Sequence, residues 1–160
     1  MKKRLDVQHT LITGKNFPYL ASSRGGYKVL LGIGGNIGDV ARRFEHLFQF
    51  FQRDARVRVI ETAPILKNPP FGYLKQSDFY NSLMLIETFL KPKALLRYIL
   101  HTEKLFGRKH LFNDAPRTLD IDMIFYENVS MQTNYLTLPH HGWKQRNSVL
   151  IPLSYMKGQI

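Results

Sequence analysis

Apolar and polar positions alternate along the chain in patterns that predict its elements. The run Val29-Leu30-Leu31-Gly32-Ile33 predicts a buried strand over residues 28–33. Gly34-Gly35-Asn36-Ile37-Gly38 breaks it, and Asp39 is placed to cap a helix. Val40, Phe44, Leu47, Phe48 and Phe51 recur at helical spacing, which predicts a helix over 40–53 with one apolar face. Val57, Val59 and Ile60 start a second strand. Pro64, Asn68, Pro69, Pro70 and Gly72 then predict a long loop. A third strand is expected over 79–87. Pro92 suits a first helical turn, Leu95, Ile99, Thr102 and Phe106 form a stripe, and Gly107 is a natural stop. A fourth strand spans 119–126, and a turn at Glu127-Asn128 leads to a short strand near 129–132. Pro152 limits a last helix to about 145–150, or makes it restart beyond the proline.

The order β, α, β, β, α, β predicts an α+β ferredoxin-like sandwich, with two helices on one face of a small antiparallel sheet. Residues 28–160 read as a single domain. Residues 1–27 show no clear periodicity and end in Ser22-Ser23-Arg24-Gly25-Gly26. They read as an N-terminal appendage, poorly structured or extended, with partial order through Phe17, Tyr19 and Leu20.

Composition sharpens this picture in three respects. The 160 residues are 44% hydrophobic and 22% charged, an ordinary globular balance. The net charge of +11 favours polyanions or phosphate-rich small molecules. Much of it sits early: Lys2, Lys3, Arg4, Lys15, Arg24 and Lys28 face only Asp6. No basic stripe with interleaved aromatics follows, so no specific nucleic-acid partner is expected. Cysteine is absent, which removes disulfides and thiolate metal sites. Leu5-Asp6-Val7-Gln8-His9 is too polar for a secretory core, and no apolar run reaches membrane-spanning length. A soluble, cytoplasmic protein without a membrane partner is expected.

The sharpest chemical feature is Asp120-Ile121-Asp122. On a strand, alternate residues share a face. Leu119, Ile121, Met123 and Phe125 would face the core, and Asp120 and Asp122 would project together, about 6–7 Å apart at their alpha carbons. Two carboxylates so placed repel unless a cation lies between them, and magnesium is the fitting cation. Taken alone, such a pair reads better as an ordinary solvated strand face. Arg117, Arg108, His140, His141, Lys144 and Arg146 nearby shift the balance, because metal-binding acids flanked by arginines are what phosphoryl transfer requires. Of the two adjacent histidines, one is favoured as a phosphate contact.

Two further segments attract notice. The glycines between Gly32 and Gly38 fit neither the dinucleotide spacing nor a P-loop, and read as a tight strand-to-helix turn. Phe79-Tyr80-Asn81 opens the third strand. Asn81 offers both a donor and an acceptor to a heterocycle edge, and Phe79 on the same face could stack on it. Core aromatics on a capped strand are the plainer reading.

The run Ala115-Pro116-Arg117-Thr118-Leu119-Asp120-Ile121-Asp122 resembles the signature of the 6-hydroxymethyl-7,8-dihydropterin pyrophosphokinase family. Leu136-Thr137-Leu138-Pro139-His140, with Arg146 and Pro152-Leu153, resembles that family's next block. Ile33-Gly34-Gly35-Asn36-Ile37-Gly38-Asp39 is similar to its first-strand turn, with Gly35 where serine is commoner. Asn68-Pro69-Pro70-Phe71-Gly72 and Asp78-Phe79-Tyr80-Asn81 are similar to its pterin loop and pterin strand.

The resemblance implies transfer of pyrophosphate from ATP to the hydroxymethyl group of the pterin, with AMP leaving, in folate biosynthesis. It implies two magnesium ions held by Asp120 and Asp122. It assigns ATP contacts to Arg117, His140, Arg146, Thr137 and Glu103, and pterin contacts to Asn81, Phe79, Phe71 and Asn68. Arg108 would reach the transferring group from a mobile loop, so Arg108, Arg117, Asp120 and Asp122 form the implied catalytic set. The expected assembly is a monomer.

Ser148 departs from the family, standing where a second pterin-stacking phenylalanine is usual, and Trp143 is the candidate to replace that wall. Asp114 stands where a tryptophan can occur. Two rivals share the frame: an RNA-binding module, and a different magnesium-dependent nucleotide-using transferase.

Overall fold

The computed structural model describes residues 1–70 and 72–158. Its elements run β1 (Lys2–Arg4), β2 (Thr10–Ile12), β3 (Tyr19–Leu20), β4 (Tyr27–Gly35), α1 (Val40–Gln52), β5 (Val57–Thr62), β6 (Ile65–Asn68), β7 (Phe79–Thr88), α2 (Pro92–Leu105), β8 (Asp120–Tyr126), β9 (Met131–Gln132) and β10 (Thr137–Leu138). A 3-10 turn (Trp143–Gln145) and α3 (Asn147–Leu153) follow.

The centre of the sheet is β8-β4-β7-β5, antiparallel throughout. This is the ferredoxin-like order, with the third strand of the βαββαβ unit beside the first. The Asp39 carboxylate accepts from Arg42 N at 3.1 Å and starts α1. The whole apolar stripe of α1 is buried. Pro92 opens α2, and Gly107, at φ +83°, follows its end. Both helices bury their stripes in one core with Val29, Leu31, Ile33, Met84, Ile86, Ile121 and Met123. The opposite sheet face carries a smaller cluster of Leu30, Ile60, Leu83, Leu85 and Ile124, covered by Val149 of α3 and by Trp143.

Four sequence expectations change. First, residues 1–27 are woven into the sheet. The β1–β2 hairpin pairs with β6, and β3 pairs with β5. Phe17 is fully buried, with its ring centroid 5.9 Å from that of Phe44. Glu45 accepts from Asn16 N at 2.8 Å, and Glu87 accepts from Arg24 N at 2.9 Å. Strands of two or three residues are too short to show a period, which hid them in the sequence.

Second, the expected long loop contains β6. Pro64 breaks the second strand, yet the chain resumes at Ile65 and pairs with both β7 and β2. Third, β8 carries a bulge. Leu31 pairs with Met123 and Leu30 with Phe125, so Ile124 is the extra residue. The bulge turns Phe125 away from the helical core and against Trp143, with ring centroids 4.8 Å apart. Fourth, α3 continues through Pro152, which lies near its end and removes a single helical hydrogen bond.

No helix among the described residues is long and apolar enough to cross a membrane.

Candidate active site

The site is built on one row across three strands. Gly34 of β4 pairs with Asn81 of β7 on one side and with Asp120 of β8 on the other. Two residues along, Gly32 pairs with Asp122. A Cβ at Gly34 would lie 2.6 Å from Asn81 Oδ1, so a side chain there would displace the amide. A Cβ at Gly35 would lie 2.6 Å from Thr118 O, where the signature segment crosses the turn. The glycines therefore bring chains together, as a tight turn requires, and the absence of serine at Gly35 has a steric reason.

Asn36, buried in that turn, ties the surrounding loops together. Its Nδ2 donates to Gln76 Oε1 and Ser77 O at 2.9 and 3.0 Å, and its Oδ1 accepts from Arg117 N at 2.9 Å. Arg43 of α1 donates to Thr118 O at 2.9 Å. Gln76 Nε2 donates to Asp114 O at 3.0 Å, and Tyr73 packs edge-on against Phe112. The two loops beside the site thus hold each other. Sequence reasoning did not single out Asn36 as a brace, although an amide within a glycine turn was a readable signal.

A cavity of about 580 Å³ opens above the row, within the usual range for small-molecule sites. Asn68, Pro69, Phe79 and Asn81 line one end. Arg117, Asp120, Asp122, His140 and Arg146 line the other. The first end suits a flat heterocycle: Asn81 Nδ2 donates to Asn68 Oδ1 at 2.7 Å, and Asn68 Nδ2 donates to Pro69 O at 3.0 Å. Ser148 lines the cavity. Trp143 does not replace the missing aromatic wall, because its ring is committed to Phe125. Gln8 and His9, from the segment read as an appendage, also line this cavity, and no pattern in the sequence pointed to them. A second cavity, of about 550 Å³, lies on the helical side between Phe50, Arg53 and Phe106, remote from the signature residues.

The electrostatics of the other end suit an anion with a cation. Asp120 Oδ1 accepts from Arg108 Nη1 at 3.2 Å, and Asp120 Oδ2 from Arg117 Nη1 at 3.4 Å. The pKa of Asp122 is raised, first by burial and next by the charge of Asp120, with Arg146 opposing. Burial, more than the neighbouring carboxylate, disfavours its ionised form. Among the described residues there is no cluster of three or more His, Cys, Asp or Glu side chains with metal-site geometry. The donor set is two carboxylates, and it fits magnesium, which completes its shell with water and phosphate oxygens.

His140 Nδ1 accepts from Gly142 N at 3.3 Å. Burial lowers its pKa, with the charges of Arg146 and His141 adding to the effect. A neutral ring held that way carries its proton on Nε2, which makes it a donor for a phosphate oxygen. His141 stacks on His140 at 5.5 Å.

Three implied residues stand elsewhere. Arg108 does not reach into the cavity from a loop. It is folded inward, donating to Leu119 O at 3.1 Å and to Asp120, with Glu103 Oε2 3.6 Å away. Arg108 therefore stands behind Asp120. Glu103 is buried beneath β8 and accepts from Ile121 N at 2.7 Å, so it is not open to ATP. Burial pushes its pKa up to about 7. Thr137 pairs with Gln132 in the small β9–β10 sheet and does not line the cavity. Phe71 lies outside the described residues.

Comparison with known proteins identifies the family. Residues 30–158 match the model of the family described as 7,8-dihydro-6-hydroxymethylpterin-pyrophosphokinase. The chain is 38% identical over 152 residues to a Helicobacter pylori 2-amino-4-hydroxy-6-hydroxymethyldihydropteridine pyrophosphokinase, covering 92% of this chain and 93% of that one. A Campylobacter jejuni protein of the same name is 39% identical over 139 residues, covering 86% and 88%. The Folic acid synthesis protein FOL1 of Dictyostelium discoideum is 34% identical over 83% of this chain and 20% of its own. With the matched span running from the glycine-bearing strand β4 through α3, the chain belongs to the 7,8-dihydro-6-hydroxymethylpterin-pyrophosphokinase family.

Proposed function

We infer that the protein transfers pyrophosphate from ATP to the hydroxymethyl group of 6-hydroxymethyl-7,8-dihydropterin, releasing AMP, in folate biosynthesis. The observation that carries this reading is the row Asn81–Gly34–Asp120, which sets the Asn81 amide and the Asp120 carboxylate on either side of one glycine.

The chemistry is positioning and charge compensation. Asn81, Asn68 and Phe79 hold the pterin, with Phe71 beside them in the chain. Arg117, Arg146 and His140 Nε2 bind the triphosphate oxygens. The pterin hydroxymethyl oxygen forms a bond to the β-phosphorus and gives up its proton to solvent, the bond from that phosphorus to the oxygen shared with the α-phosphate breaks, and AMP leaves with that oxygen. Asp120 and Asp122 would hold two magnesium ions, which neutralise phosphate charge and acidify the attacking hydroxyl. Arg108 acts through Asp120, by fixing its carboxylate. Glu103 supports β8 through Ile121 N, and neither Glu103 nor Thr137 stands where it would meet ATP.

The reading extends to a cytoplasmic monomer with small-molecule substrates and no specific nucleic-acid partner. The carboxylates on β8 occupy the sheet face where an RNA-binding module would display aromatics. One assay tests the central claim. ATP, magnesium and 6-hydroxymethyl-7,8-dihydropterin should give AMP and the pterin diphosphate. ADP as the nucleotide product would make the protein an ordinary kinase, and pterin-independent release would overturn the substrate.

A further inference from the structure

The turn of the N-terminal hairpin ends in a histidine that lines the cavity. β2 pairs with β6 in the register Thr10↔Lys67, and β6 pairs with β7 through Asn68↔Phe79. His9 precedes Thr10, so the ladder brings it to the edge of the Asn68–Phe79 row. It lines the same cavity as Asn68, Phe79 and Asn81.

Its ring is held in place. Nδ1 lies 2.9 Å from each oxygen of the Asp6 carboxylate. Asp6 Oδ1 also accepts from the backbone N of Gln8 and of His9, at 2.8 and 2.9 Å. The hairpin turn thus folds around Asp6 and presents His9 in one orientation. A carboxylate on Nδ1 fixes the proton there and leaves Nε2 of the neutral ring as an acceptor. The His9 side chain is only 10% exposed, and Nε2 makes no hydrogen bond among the described residues. Oriented, largely buried polar atoms without a protein partner usually face water or a ligand.

We propose that His9 is a further substrate-binding residue, accepting a hydrogen bond through Nε2 from a donor on the heterocycle. The proposal rests on the pterin reading above. A pterin is rich in ring N–H and amino donors, whereas a triphosphate at neutral pH offers mainly acceptors, so the chemistry of Nε2 selects the heterocycle end. The hairpin lies outside residues 30–158, so this contact is an addition to the part of the chain that matches the family model.

The test compares wild type with His9→Leu and His9→Gln, using 6-hydroxymethyl-7,8-dihydropterin and a non-hydrolysable ATP analogue with magnesium. His9→Leu should weaken pterin binding about three- to tenfold, the value of one net hydrogen bond. Its affinity for the ATP analogue should stay near wild type, and His9→Gln should recover part of the pterin loss. Melting curves report on folding. Because removal of His9 also strips Asp6 of a partner, wild type is followed in parallel by histidine side-chain NMR, where pterin should shift His9 Nε2. Wild-type pterin affinity in a folded His9→Leu protein, or an unmoved Nε2 signal at saturation, overturns the role of His9. Failure of wild type itself to bind the pterin, with the ATP analogue still bound, overturns the substrate reading instead.

Discussion

Arg117 lies over the ring of Phe79, with its guanidinium carbon 5.3 Å from the ring centroid. The contact joins the two ends of the cavity, since Phe79 borders the heterocycle end and Arg117 the anion end. Arg117 is also held by Ala115 O at 3.0 Å and by Asp120 at 3.4 Å. Arg117→Ala should therefore lower turnover and weaken ATP by about tenfold or more, the value of a charge-assisted hydrogen bond. Arg117→Lys keeps the charge but loses the guanidinium fork, and should fall between. Equilibrium titration with an ATP analogue decides it; an unchanged affinity in Arg117→Ala would remove Arg117 from the ATP site.

Asp120→Ala and Asp122→Ala should each abolish transfer while leaving a folded protein. Burial and the charge of Asp120 disfavour the ionised form of Asp122. Asp122→Asn should therefore be more stable than wild type at neutral pH without metal. Urea unfolding beside the product assay checks both parts. Near-normal activity in either alanine variant would falsify the metal assignment.

Arg108→Ala should act on both folding and catalysis. The guanidinium faces Glu103 and Asp120, and its side chain is only 11% exposed. Removing it leaves buried Glu103 without its cation and Asp120 with Arg117 alone, so the folded state should lose stability. Turnover should fall through displacement of Asp120, with pterin affinity little changed. Arg108→Ala with wild-type stability would mean that these contacts carry no weight.

Glu103 imposes a dependence of stability on pH. Its folded pKa of about 7 stands above its ordinary 4.5, so the folded state prefers the protonated form. The stabilisation is fully present below about 4.5 and is lost as pH rises through about 7. Glu103→Gln still offers an oxygen to Ile121 N and should abolish this component. Relative to wild type, it should gain stability at pH 8 compared with pH 4.5. Parallel denaturation curves for the two proteins would count against the assignment.

Deletion of residues 1–26 tests the woven N-terminal segment. It removes β1, β2 and β3, the fully buried Phe17, and the partners of Glu45 and Glu87. The shortened chain should unfold at markedly lower urea, and Phe17→Ala alone should cost about 3–5 kcal/mol. A shortened chain as stable as the whole would restore the reading of an appendage.

Elements with several turns or alternations were legible in the sequence because period and burial reinforce each other there. α1, with five buried residues on one stripe, and β4, with its apolar run, needed no tertiary information. The aspartate pair was legible because strand alternation alone puts Asp120 and Asp122 on one side. Tertiary structure decided what depends on partners distant in the chain. The strands of residues 1–27 exist only because β6 and β5 offer them edges. The bulge at Ile124 is set by pairing with Leu30 and Leu31, and it sends Phe125 to the opposite face. Arg108 turns inward because Asp120 and Glu103 stand behind it, and no local pattern tells an arginine which of two carboxylates it will meet. Periodicity is a property of neighbours in sequence, so it reveals faces. Which charged or aromatic group shares a cavity is fixed by packing, and for His9, brought beside Asn68 by the Thr10↔Lys67 pairing, only the folded chain could show it.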